Sequence, residues 1–171
     1  MAQERTKAGR KPLTSYCIVD AQSVKNADTA QSKGYDAGKK VSGIKRHIAV
    51  DTQGLPHAIE VTTADVNDRS GALLLCLLHG STLSQVTKML VDSGYSGKPF
   101  ARKVWAILGA EVEVAKRSEL HKFAVIPKRW VVERSFAWLD KCRRLWKNCE
   151  RLLETSQQFV VLAFLHLVIR R

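Results

Sequence analysis

Two aspartates close short apolar runs of the same kind. SYCIVD ends at Asp20 and VTKMLVD ends at Asp92, and each run has the compact, β-branched character of a buried strand. The two acids are 72 positions apart, 92 minus 20. A third acid, Glu133, stands alone among basic and apolar neighbours in RWVVERSFAWLDKCRRLWK, with Arg129 one turn before it and Ala137 one turn after. If the first two runs are parallel neighbours, their carboxyl ends open into one cleft, the position where open α/β sheets bind ligands. Three carboxylates converging there suit a pair of Mg²⁺ ions about 3.5–4 Å apart, the arrangement that serves an in-line phosphoryl displacement. Without a cation the acids would repel and raise one another's pKa, so metal binding also accounts for a fold that tolerates them.

The elements that must position these acids follow from periodicity. Residues 1–13 are polar and basic, contain Gly9 and Pro12, and are predicted to be a linker or truncated edge before a single domain over 14–171. Strand one runs from Ser15 to Asp20. GIKRHIAVD alternates, DTQG at Asp51 to Gly54 supplies a turn, and LPHAIEVTT is a second extended run, so 43–62 is predicted to be an antiparallel hairpin. NDRSGALLLCLLHG places a helix start at Asn67 or Asp68 and a stop at Gly80. The strand ending at Asp92 is followed by a turn, a helix over Pro99 to Leu108 and an edge strand through Val112 and Val114. Residues 116–128 form a basic loop, and two helices complete the chain over 129–147 and 156–170. With strand one central, the hairpin on one side and the Asp92 strand on the other through a right-handed crossover, the expected fold is a ribonuclease-H-like α/β domain. Its sheet is mixed and five-stranded, with flanking helices.

Composition narrows the class. The 171 residues carry 28 Lys and Arg against 16 Asp and Glu, a formal charge of +12, while 45% are hydrophobic. This excludes a disordered basic tail and points to a globular domain that meets a polyanion. The longest apolar stretch, Phe159 to Ile169, is interrupted by His166 and is shorter than a bilayer span, so it is predicted to be a buried helix. No secretory signal opens the chain, and the expected location is cytoplasmic with no membrane partner. Cys17, Cys76, Cys142 and Cys149 contain no CxxC pair and the five histidines no HxxxH spacing, so neither disulfides nor zinc are expected.

Other acids have ordinary explanations. Asp51 opens the DTQG turn and is read as structural, and for Asp65 and Asp68 a helix cap is preferred to a metal ligand. Glu133 taken alone could equally form a surface pair with Arg129 worth about 0.3–0.5 kcal/mol. Trp130, Trp138 and Trp146 recur every eight residues, which favours core packing over base stacking.

The strings IVDAQSVK, GKKVSGIKRHIAVDTQGLPHAIEVTTADVNDR, LVDSGYSG and RWVVERSFAWLDKCRRLWKNCERLLETS resemble the catalytic domain of bacterial DDE transposases of the insertion-sequence-five type. The resemblance runs from about Ser15 to Arg171. It implies Asp20, Asp92 and Glu133 as catalytic acids holding two Mg²⁺, with Mn²⁺ able to substitute. It also implies transposon-end and target DNA as partners, a homo-oligomer on that DNA, and a nucleoid-associated bacterial enzyme. The wider superfamily's arginine four residues before the glutamate is matched by Arg129. Its tyrosine three residues earlier is replaced by Ile126. Its lysine seven residues after the glutamate is replaced by Asp140, leaving Lys141 or Arg144 to supply that charge.

Phosphate contacts are expected from Lys39, Lys40, Lys45, Arg46, Arg129, Lys141, Arg143 and Arg144. Full-length relatives begin with a helix-turn-helix domain, which a product of an upstream reading frame would supply here. The competing expectations are a catalytically idle DNA-binding fragment that regulates full-length transposase, and a structure-selective nuclease on the same fold.

Overall fold

The computed structural model describes residues 1–115 and 129–170. Helix α1 (Ala2–Lys7) precedes strands β1 (Tyr16–Lys25), β2 (Gly34–Asp36), β3 (Val41–Val50) and β4 (Pro56–Thr63). Then follow α2 (Asp68–Leu78), β5 (Lys88–Val91), a 3₁₀ turn (Ser93–Tyr95), α3 (Lys98–Leu108), β6 (Glu111–Val114), α4 (Arg129–Asp140) and α5 (Leu153–Ile169). The sheet order is β2-β3-β1-β5-β6, with β4 also paired to β3. β1 is therefore central, antiparallel to β3 and parallel to β5, and β6 is parallel to β5 at the edge. The five expected strands are present, and β2 adds a three-residue sixth against the start of β3.

Alternation along the strands sets two main cores on opposite faces of the sheet, because successive side chains point to opposite sides, and Val24, Ile44 and Val61 form a smaller third cluster. Cys17, Val19, Ala49, Met89 and Val91 pack with Ala72, Leu75 and Cys76 of α2 and with Phe100 and Val104 of α3. Ile18, Ile48, Val50, Ile59 and Leu90 pack on the other face with Val131, Val132, Phe136 and Leu139 of α4 and Val160 and Phe164 of α5. The result is a three-layer α/β domain with the central strand covered on both sides.

Several boundaries differ from expectation for identifiable reasons. Strand one does not stop at Asp20. It continues to Lys25 because β3 pairs with it as far as Lys25 opposite Gly43, and Val24 remains buried. Residues 1–13 include a helical turn anchored by the buried Arg5, so this stretch is not a bare linker. The first C-terminal helix ends at Asp140 rather than 147. Beyond it, Asn148 bridges to Asn26 and donates its backbone N–H to Lys25 O at 2.9 Å, tying the α4–α5 connection to the end of β1. α5 buries one face only. Leu162, Leu165 and Ile169 are exposed, which corrects the expectation of a fully buried helix. Among the described residues no helix is long and apolar enough to cross a membrane, and all four cysteines are free.

α2 sits close to the sheet because of Gly71. A Cβ there would lie 2.0 Å from the His47 ring, which is fully buried beneath the helix and shares a 3.0 Å hydrogen bond with Thr62 Oγ1. Burial pushes the His47 imidazole down to about 4, against the pull of Asp68. The unfolded chain, with an ordinary histidine near 6.5, binds this proton more tightly, so stability is complete above that value and falls as pH drops from about 6.5 to 4. The expected loss is about 3 kcal/mol across that window. Urea unfolding at pH 7.5 and 4.5 measures it, and His47→Gln should flatten the dependence.

Candidate active site

Asp20 lies in the middle of β1, opposite Ile48 of β3, and follows Ile18 on the face covered by α4 and α5. It is half-buried, and its Oδ1 accepts the Ala21 N–H at 2.8 Å. Asp92 comes immediately after β5 and caps the 3₁₀ turn, its Oδ1 accepting the Gly94 N–H at 2.8 Å. The pairing of β1 with β5 sets Tyr16 beside Lys88 and Ile18 beside Leu90. Asp20 and Asp92 are separated in sequence by the same 72 residues, 88 minus 16, and each lies two positions beyond the last pair, Ile18 with Leu90. Both acids therefore follow the parallel pair at its carboxyl end, Asp20 still within β1 and Asp92 just past β5.

Glu133 projects from α4. That helix buries Val131, Val132, Phe136 and Leu139 against the sheet and leaves Glu133 exposed at its margin. Glu133, Phe136, Ala137 and Asp140 face Ala21, Gln22, Ser23 and Lys39 across a cavity of about 340 Å³. The third acid is thus brought over the segment of β1 that follows the first. Asp140, in place of the superfamily's lysine, accepts from Gln22 Nε2 at 3.0 Å.

Three carboxylates supply hard oxygen donors, the ligand type that Mg²⁺ and Mn²⁺ take. Among the described residues no three of His, Cys, Asp and Glu are gathered closely enough to cage a metal. Mg²⁺ does not require such a cage, because it keeps several waters and is held by one or two carboxylates together with substrate phosphates. Two half-buried aspartates that follow the carboxyl end of the parallel pair, with a third acid on an overlying helix, fit that requirement.

The expected phosphate contacts separate into two groups. Lys45 and Arg46 are corrected. Both are buried in β3, where neighbouring residues face opposite layers, and each is bound internally. Lys45 Nζ lies 2.9 Å from Asp68 and 3.1 Å from Asp36 and donates to Val66 O. These partners hold its charge on, against burial, and raise its pKa. Arg46 reaches through the second core to Leu145 O at 2.6 Å, and burial pushes its pKa down to about 10.

Lys39, Lys40, Lys141, Arg143 and Arg144 are exposed. Lys39 donates to Ala21 O at 3.0 Å, beside Asp20, and also borders a cavity of about 900 Å³ next to Gly94 and Ser96. Lys40 has a left-handed backbone at φ 55°. Arg144 pairs with Glu150 at 2.8 Å and lies over the Phe159 ring. Arg129 opens α4, but its side chain lies outside the described residues, as does Ile126.

Asp51 is structural, as its turn position suggested. It is fully buried and bonded to Arg5, with His57 Nε2 3.6 Å away. Asp68 pairs with Lys45, while Asn67 provides the α2 cap. Core packing fails as a description of Trp130 and Trp146, which are 46% and 64% exposed. Trp130 instead stacks with Arg134, whose guanidinium carbon lies 4.5 Å from that ring and 4.7 Å from Trp138. The spacing of four residues on either side of Arg134 carried this signal, and the period of eight concealed it.

Two solved structures share this fold. A chain of the simian T-cell lymphotropic virus intasome, determined in complex with PP2A regulatory subunit B56 gamma, is 15% identical with a TM-score of 0.56 over 89% of this chain and 48% of that one. The catalytic core domain of BIV integrase is also 15% identical, with a TM-score of 0.52 over 90% of this chain and 82% of that one. The architecture is therefore ribonuclease-H-like. In sequence, the candidate transposase of insertion sequence element IS402 from Burkholderia cepacia is 35% identical over 127 residues, covering 70% of this chain. The chain spans 60% of the length of that relative. The family model described as the transposase DDE domain matches residues 11–168. The chain belongs to the transposase DDE domain family.

Proposed function

We propose that this chain is the catalytic core of a DNA transposase, cutting element ends and joining the freed 3′-hydroxyl to target DNA in one site. The observation that carries the reading is the parallel pairing of β1 with β5, which Asp20 and Asp92 each follow by two residues, with the Glu133 helix packed on the face of Ile18 and Leu90. Asp20, Asp92 and Glu133 would hold divalent metal, which when bound supplies electrophilic stabilisation of a phosphoryl group and activation of the attacking oxygen. Both steps are displacements at phosphorus, so one set of residues serves both. Lys39, on the rim beside Asp20, is placed to neutralise a phosphate oxygen. Arg129 is assigned the same role by its position in the family. Lys40, Lys141, Arg143 and Arg144 contribute salt-dependent affinity with little sequence information. A homo-oligomer assembled on paired ends is part of this reading.

The second reading is a catalytically idle fragment that binds DNA and regulates a longer transposase, favoured by the fact that among the described residues no three of His, Cys, Asp and Glu gather closely enough to cage a metal. Incubation of the purified chain with labelled element-end DNA separates the two. The catalytic reading predicts nicks at the end in Mg²⁺ and none in EDTA. Salt-sensitive binding without cleavage in Mg²⁺ or Mn²⁺ would identify the idle fragment.

A further inference from the structure

The two residues that follow Glu133 are both fastened to the β3–β4 turn. Arg134 Nη2 donates to Gln53 O at 2.9 Å, and the Ser135 hydroxyl shares its one proton between Gly54 O at 3.3 Å and Val131 O at 3.0 Å. The Arg134 guanidinium carbon lies 4.5 Å from the centroid of the Trp130 ring and 4.7 Å from that of Trp138, one helical turn to either side. Contact between turn and helix is close. Gly54 adopts a left-handed φ of 82°, and a Cβ there would come within 3.0 Å of Ser135 Oγ and 3.3 Å of Arg134 Nη2.

The turn is itself fixed from within. Asp51 Oδ1 accepts the Gln53 and Leu55 N–H groups at 2.8 and 3.0 Å, and Oδ2 accepts from Arg5. The buried Arg5 reaches in from α1 and also donates to Lys11 O, while Arg10 donates to Thr52 Oγ1 at 2.6 Å. A continuous series of bonds thus leads from the N-terminal segment through Asp51 and the turn to the residues beside Glu133.

We infer that the DTQG turn is a seat that fixes the rotation of α4, making Arg134 the positioning residue for Glu133. The inference rests on the proposed role of Glu133 as third acid. The apolar face of α4 alone is a poor register for this purpose. A 20° rotation keeps hydrophobic side chains in the core but moves a carboxylate at the helix surface by roughly 2 Å. A displacement of even 1 Å at a reacting centre can cost about 10²-fold in rate. Hydrogen bonds to fixed carbonyls resist that rotation because they are directional. Arginine suits the position because a planar guanidinium can stack between two indoles and still donate in its own plane.

The test measures single-turnover cleavage of labelled end DNA at saturating DNA, DNA affinity, and hydrogen exchange of the α4 amides. It compares wild type with Arg134→Met and Arg134→Lys. Arg134→Met fills similar volume without the donor. It should lower the single-turnover rate about tenfold or more, with DNA affinity within about twofold of wild type and faster exchange over residues 133–137. Arg134→Lys keeps a donor and should recover part of the rate. An unchanged rate in Arg134→Met, or a loss that merely follows the fraction unfolded in urea, overturns the inference. If wild type cuts no DNA with metal, the proposed function has failed, and the exchange data then decide the seat. Faster exchange of α4 in Arg134→Met supports it, and unchanged exchange overturns it.

Discussion

Replacing Asp20 or Asp92 by asparagine, or Glu133 by glutamine, should lower single-turnover cleavage by at least about 10²-fold, the scale on which removal of one electrostatic partner acts in other sites. The same variants should fold and bind DNA close to wild type. Each substitution removes a charge and a metal-binding oxygen but keeps the local hydrogen bonds. In Asp20→Asn the side chain retains an Oδ1 for the Ala21 N–H, replacing the bond that Asp20 makes at 2.8 Å. At position 92, asparagine caps a helical turn as well as aspartate does, so the bond to Gly94 N–H survives. Glu133 is exposed, and glutamine there has a similar helix propensity. Cleavage assays run beside urea unfolding separate chemistry from folding. Activity within a few-fold of wild type in any one variant would remove that acid from the site.

The largest effect on stability is expected at Asp51. Asp51→Ala strands the Arg5 cation in the interior and removes the acceptor for two turn amides. Breaking a buried pair from one side costs about 3–5 kcal/mol, far more than a surface pair contributes. Burial alone would push the Asp51 carboxyl up. The nearby His57 ring and hydrogen bonds from the Gln53 and Leu55 amides and from Arg5 outweigh that and hold it at about 2, below the ordinary 3.8. A depressed folded pKa means that this stabilisation is present above 3.8 and is lost as pH falls toward 2. The His47 contribution is lost at higher pH, between about 6.5 and 4, so the two acid transitions are distinguishable. Denaturant unfolding of Asp51→Ala at pH 7 measures the first effect. A loss below about 1 kcal/mol, the range of surface pairs, would show that the Arg5 pair is not buried in solution.

What the sequence conveyed and what it withheld divide along physical lines. The hairpin was legible because β3 and β4 alternate around a turn whose residues have strong local preferences. The Asn67 cap and the strand before Asp92 were legible for the same reason, since their signals lie within a few residues. The parallel pairing of β1 with β5, which both aspartates follow, was legible from strand order. The continuation of β1 beyond Asp20 was not visible, because AQSVK is polar and its pairing depends on β3, more than 15 residues later. Lys45 and Arg46 read as surface cations because their partners are Asp36, Asp68 and the Leu145 carbonyl, each supplied by a different element. Arg5 looked like part of a basic linker for the same reason, its partner being 46 residues away. Long-range ion pairs leave no periodic trace, so the sequence did not separate the buried cations from the exposed ones.

The central claim is that Asp20, Asp92 and Glu133 form a divalent-metal site that works on DNA. Calorimetric titration of the folded chain with Mn²⁺, in the presence and absence of element-end DNA, tests it most directly. The account predicts binding that is strengthened by DNA, whose phosphates complete the coordination, and that is lost in Asp92→Asn. Absence of Mn²⁺ binding to the wild-type chain under both conditions, or equal binding to Asp92→Asn, would contradict it.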